Sequence, residues 1–131
     1  MEPGDFAEVE MFAGPSETAK ALCLTADDDF PEVWATSRMI GLMEIAAARC
    51  MKPLLEAGQL SVGVGINIRH TAATPLNNQV RARATFSGRE GKMYKFTIEA
   101  FDAGGKVGEG DHTRAIVATE RLLAGAAARI K

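Results

Sequence analysis

Cysteine is scarce in this chain. Cys23 and Cys50 are the only two. They form no CxxC pair and have no neighbours at ligand-like spacing. That argues against a disulfide scaffold or a cysteine-built metal centre. It predicts two free, buried thiols in a protein of the reducing cytoplasm. Histidine is as sparse, with His70 and His112 alone. They show neither HxH nor HxxxH spacing, so no metal site is expected. No apolar run approaches the ~20 residues that span a bilayer. The acidic start Met1-Glu2-Pro3-Gly4-Asp5 lacks the apolar core of a secretory signal. No phosphate loop is present, and Gly63-Val64-Gly65 lacks the rest of a dinucleotide fingerprint. Neither sign of charge dominates: the net charge is −2 and the pI about 5.7. A general pull toward nucleic acid or an anionic membrane is thereby excluded. A local basic patch for a phosphorylated ligand is not.

What remains is an ordinary globular composition, 47% hydrophobic and 24% charged over 131 residues. That length suits one domain, residues 1–131, with a real core. Residues near 5–13 alternate and predict a strand. Pro15-Ser16 breaks it, and 17–24 reads as a second short strand. An acidic loop follows, Thr25-Ala26-Asp27-Asp28-Asp29-Phe30-Pro31. Residues 36–51 predict the one long helix, with Thr36 as N-cap and Pro53 at or beyond its end. The rest is strand-rich. The stretches 61–72, 79–86, 93–101 and 106–121 are separated by turns at 73–78, 88–91 and 102–105. The tail 122–131 reads as a short or frayed helix. One-sided apolar strands imply an antiparallel sheet with one face on the helix, an α+β layout.

Glu44 stands out against this background. It lies inside the apolar run from Met39 to Ala48. A desolvated carboxylate there costs several kcal/mol, roughly, unless it is paired. His70 closes the alternating run Val62 to His70 and shares the parity of its apolar positions. Both groups are therefore expected to point inward and to meet in a pocket, directly or through one water. Glu44 would then orient a His70 general base. Thr36, eight residues before Glu44, lies about 12 Å from it along the helix. The two can border one cleft without touching. At a helix N-terminus Thr36 also sits where an oxyanion would be stabilised. Gly63 and Gly65 interrupt a strand, which marks a bulge or the close approach of a ligand or backbone. Arg114 alternates with His112 on the last strand. It is open either to a phosphate or carboxylate or to solvent.

These residues fall in three segments: FPEVWATSRMIGLMEIA from Phe30, SVGVGINIRHTAATP from Ser61 and GEGDHTRAIV from Gly108. Together they resemble the fluoroacetyl-CoA thioesterase family, a branch of the hot-dog thioesterases, over about residues 5 to 120. The resemblance implies a hot-dog fold, with a long central helix wrapped by a curved antiparallel sheet. It implies a homodimer, with dimers that could pair further, and sites near the dimer interface. It also implies hydrolysis of an acyl-CoA thioester. It carries the catalytic threonine, glutamate and histidine onto Thr36, Glu44 and His70. The active-site glycine falls on Gly63, the gating phenylalanine on Phe30 and a last-strand arginine on Arg114. One departure stands out. The family's lid has a second aromatic residue just before this phenylalanine, where this chain has Asp27-Asp28-Asp29 in a shorter loop.

The expected function is therefore hydrolysis of a small or polar acyl-CoA thioester. No cofactor is expected, since coenzyme A enters as part of the substrate. Two rivals share the fold. A hydratase or dehydratase would use the same histidine and carboxylate to move a proton at carbon. A non-catalytic acyl-CoA-binding module would bind without turnover.

Overall fold

Met39, Leu42, Met43, Ala46 and Ala47 recur at the spacing of one helical stripe, and each is at most 2% exposed. They build α1, Thr36–Met51, which ends in a short 3₁₀ turn over Lys52–Leu54 where Pro53 cannot continue it. Each large side chain in the stripe stabilises the fold by roughly 1.5–3 kcal/mol. The structure is a computed structural model and describes residues 1–130.

Five strands wrap α1: β1 (Phe6–Ala13), β2 (Gln59–His70), β3 (Asn78–Glu90), β4 (Met93–Asp102) and β5 (Gly105–Ala118). Their order is β1-β3-β4-β5-β2, antiparallel throughout. This is the expected hot-dog arrangement. Val9, Ala82, Ala84, Phe86, Phe96, Ile98 and Ala100 form the sheet's contribution to the core. The alanines let the helix approach closely. Gly108 serves the same end, since a Cβ there would stand 2.5 Å from Met39 Sδ. A C-terminal helix, α2 (Thr119–Arg129), follows β5 and buries no residue.

Three local expectations change. Residues 17–24 are not a strand but belong to 3₁₀ turns at Pro15–Glu17 and Ala19–Leu22. Thr18 favours the turns, because its hydroxyl donates to the Pro15 carbonyl and accepts from the Ala21 N–H. Gly88 does not open a turn. It is a bulge inside β3, and the hairpin tightens to Gly91-Lys92, with Gly91 at φ 60°. Cys23 and Cys50 are free, as expected, but only half-buried.

β2 departs most from simple alternation. Its ladder with β5 slips between Gly63 and Gly65, leaving Val64 as the extra residue. Residues opposite each other in a ladder share a face. Ile66, Ile68 and His70 therefore face the helix with His112, Gly110 and Gly108, while Ser61 and Gly63 face it with Ile116 and Arg114. Even positions point inward on one side of the bulge and odd positions on the other. β2 is also a sheet edge, and Leu60, Val64 and Ile66 on it are 49%, 53% and 39% exposed.

Candidate active site

The start of α1 is held by its backbone. The Trp34 N–H donates to the Thr74 carbonyl, and the Ala35 N–H to the Glu17 carbonyl. Ala35, not Thr36, is the N-cap, and it makes no side-chain cap. The expected capping role of Thr36 is therefore not the one seen. As the first helical residue, its hydroxyl is free to meet His70, with Oγ1 2.8 Å from Nδ1. In this first turn the Arg38 and Met39 N–H groups donate to the Ala35 carbonyl, which leaves those of Thr36 and Ser37 without an intrahelical acceptor at the positive end of the helix. The Trp34 ring stands edge-on to His70, with centroids 6.4 Å apart and planes at 87°. Burial lowers the pKa of His70 below the usual 6.5, which keeps its imidazole neutral near pH 7. Its Nε2 is buried and unpartnered. A cleft of about 420 Å³ opens here, bordered by Ala19, Pro31, Trp34, Thr36 and His70.

Glu44 lies elsewhere. The expected pairing of Glu44 with His70 does not form within the chain. Two turns along α1, Glu44 Oε1 instead lies 3.4 Å from Arg114 Nη1 and directly beneath Gly63. The two groups occupy different ends of β2, and the helix runs antiparallel to that strand. Thr36 therefore reaches His70 while Glu44 reaches Gly63. Glu44 is also less buried than its apolar neighbours suggest, with a side chain 44% exposed. It borders a second cleft of about 310 Å³ with Ile40, Gly63, Val64, Ile66 and His112. Gly63 leaves room for this approach: a Cβ would collide with Glu44 Oε1 as it stands and lie 3.3 Å from His112 Cε1.

Arg114 is 6% exposed. Its guanidinium donates through Nε to Ser61 Oγ at 3.0 Å and through Nη2 to the Ser61 carbonyl at 2.9 Å. Burial lowers its pKa, while Glu44 works in the opposite direction. Phe30 is 47% exposed beside the acidic loop and lines neither cleft. In that loop Asp28 Oδ2 accepts the Leu24 and Thr25 N–H groups, which lowers its pKa. Ser61 and His112 were not singled out as site residues from the sequence. The available signal was parity on β5, where His112 and Arg114 share the face of Gly108 and Gly110. No cluster of three or more His, Cys, Asp or Glu residues suited to a metal occurs among the described residues. Nor is any helix among them long and apolar enough to cross a membrane.

This geometry has close relatives. The family model for fluoroacetyl-CoA-specific thioesterase matches residues 16–120. The fluoroacetyl-CoA thioesterase of Streptantibioticus cattleyicolor is 42% identical over 96 residues, 73% of this chain and 69% of that protein. A crystal structure of a variant of the fluoroacetyl-CoA-specific thioesterase FlK with fluoroacetate and CoA superposes with a TM-score of 0.88 at 35% identity. That match covers 93% of this chain and 99% of the other. A hot-dog-like protein from Thermanaerovibrio acidaminovorans shares the fold, with a TM-score of 0.85 at 22% identity over 100% and 94% of the two chains. Fold and clefts together define a hot-dog thioesterase. Within that class, the chain belongs to the fluoroacetyl-CoA-specific thioesterase family.

Proposed function

We propose that this protein hydrolyses a small or polar acyl-CoA thioester at a site built from Thr36, His70 and Glu44. The observation that carries this reading is the 2.8 Å contact between Thr36 Oγ1 and His70 Nδ1 at the open end of α1. A neutral imidazole within hydrogen-bond reach of a hydroxyl is a general base for that hydroxyl. As Thr36 Oγ1 attacks the thioester carbonyl, its proton passes to His70 Nδ1. The N–H groups at the helix start hold the developing oxyanion. The C–S bond then breaks, and the CoA thiolate takes the proton from His70. Water, deprotonated in its turn, cleaves the acyl-threonine ester and releases the carboxylic acid. No cofactor enters this sequence. Gly63 borders the Glu44 cleft, where Arg114 acts through Glu44, and Phe30 stands outside both clefts of the single chain.

Glu44 enters through a second copy of the chain. β2 is an edge strand with exposed apolar residues, and edges of this kind are covered by pairing. Antiparallel pairing of β2 with its copy reverses the strand direction. The His70 end of one copy then comes beside the Gly63 end of the other. Glu44 of one subunit thus approaches the Thr36 and His70 of the partner subunit, positioned to orient the imidazole or to activate the hydrolytic water. The two half-sites that one chain keeps apart become one site. The free thiols of Cys23 and Cys50 suit a cytoplasmic setting.

The test is release of free thiol from short, branched, aromatic and halogenated acyl-CoAs. Release from a saturated acyl-CoA is the expected result. Binding without release would overturn the assignment.

A further inference from the structure

His112 is 2% exposed on the helix-facing side of β5, and the mechanism above does not use it. Its Nδ1 lies 2.8 Å from the carbonyl oxygen of Gly65, the residue just after the bulge. A carbonyl only accepts, so Nδ1 carries the hydrogen. Its Nε2 lies 3.2 Å from Arg114 Nη1. A guanidinium only donates, so Nε2 must offer its lone pair. The two neighbours together admit one form of the ring, neutral with the proton on Nδ1. The same Nη1 is the atom that faces Glu44. A chain of contacts therefore runs from the bulge of β2 through His112 and Arg114 to the Glu44 carboxylate.

We infer that His112 is a positioning residue for Glu44: locked as the neutral Nδ1–H tautomer, it fixes Arg114 Nη1 and thereby the carboxylate above which Gly63 leaves room. The inference rests on Glu44 acting in thioester hydrolysis. Among the described residues, the charged groups acting on the ring are Arg114 on its own strand and Glu44 on α1. β2 presents the backbone of Gly63 and Gly65, and β4 presents Phe96, its ladder partner. Burial above all, with Arg114, lowers its pKa against the opposing effects of the Gly65 carbonyl and Glu44, in keeping with a neutral ring. Protonation at Nε2 would set one donor against another and release Nη1.

Two amides separate the halves of this role. His112→Asn keeps a donor near the Gly65 carbonyl and removes the acceptor for Arg114. His112→Gln can return an acceptor near Arg114. Misplacing a catalytic group by about 1 Å costs up to ~10²-fold in rate. We expect His112→Asn to lower kcat about tenfold or more with little change in KM, and His112→Gln to recover most of that loss. In a Glu44→Gln background, His112→Asn should cost little further, because both changes break one connection. Equal losses in both backgrounds, or kcat tracking thermal stability across the variants, would overturn the assignment. Nitrogen-15 NMR of the imidazoles is independent of turnover and so separates this inference from the thioesterase reading. With two histidines in the chain, His70→Ala leaves His112 alone. A neutral Nδ1–H ring at pH 7 is expected, since burial holds its pKa below the usual 6.5. An Nε2–H or protonated ring there would overturn it.

Discussion

At the scale of single residues, the proposed site falls into two halves, one at Thr36 and His70 and one at Glu44, and substitutions should reveal the division. His70→Ala removes the base beside Thr36 and should lower thioester hydrolysis by about 10²-fold or more, with a much smaller effect on thermal stability. Steady-state kinetics and a melting curve measure the two effects together. pH gives a second view. The pKa values of His70 and His112 both lie below the usual 6.5 because their rings are buried. The unfolded chain therefore takes up protons at pH 6.5 before the folded one does. Stability should be full above that value and decline as pH falls through it toward the folded pKa values. The acid limb of kcat/KM should likewise lie below 6.5, since the base stays neutral to lower pH. An acid limb at or above 6.5 would remove His70 as the base. Much of this scale was legible in the sequence. A carboxylate in an apolar run and a histidine closing a strand both drew attention for a physical reason. Their partners were not legible, because one extra residue at Val64 rephases the strand, and parity cannot be counted through a bulge.

At the scale of elements, α1 and its two flanks do most of the positioning. The boundaries of α1 match the apolar stripe and Pro53 closely, since a long periodic segment carries its own signal. The short piece after β1 was harder. Thr18 makes local turn bonds that hydropathy does not encode. β2 was legible as a strand, but not as an edge, because strand order is a property of the whole sheet. Its exposed Leu60 lies near the half-exposed Ile45 of α1, around an apolar cleft of about 270 Å³. Leu60→Asp, combined with Ile45→Asp, should weaken self-association. On the proposal that two copies complete one site, activity should fall with dimer content. Light scattering paired with activity over a dilution series checks this. Monomers of full specific activity would argue against a shared site.

At the scale of the whole molecule, the question is which acyl group is accepted. The family match and the fold agree on thioester hydrolysis. The loop before Phe30 is where this chain departs from the family pattern. Asp28 is not a loose charge there, since two backbone N–H groups bind its carboxylate. Asp27, Asp29 and the half-exposed Phe30 still leave the loop in contact with water. Discrimination between nearly isosteric acyl groups requires differential transition-state contacts. A polar loop supplies fewer of these than an aromatic one. The ratio of catalytic efficiencies for fluoroacetyl-CoA and acetyl-CoA should therefore be modest, and a larger or more polar acyl group should serve better. Strong preference for fluoroacetyl-CoA over every other thioester would show that the acidic loop does not matter.

The bulge at Val64 has one more consequence. Shortening a strand by a residue ordinarily turns half its side chains inside out. Here the ladder on either side of Val64 already counts as though that residue were missing. Excising Val64 would join Gly63 to Gly65 in regular alternation, with Ser61 and His70 still facing inward. The Gly65 carbonyl would then be drawn into the ladder and away from His112. A chain one residue shorter should therefore fold and melt much like the parent while hydrolysing poorly. The extra residue in β2 is one the architecture can spare and the chemistry cannot.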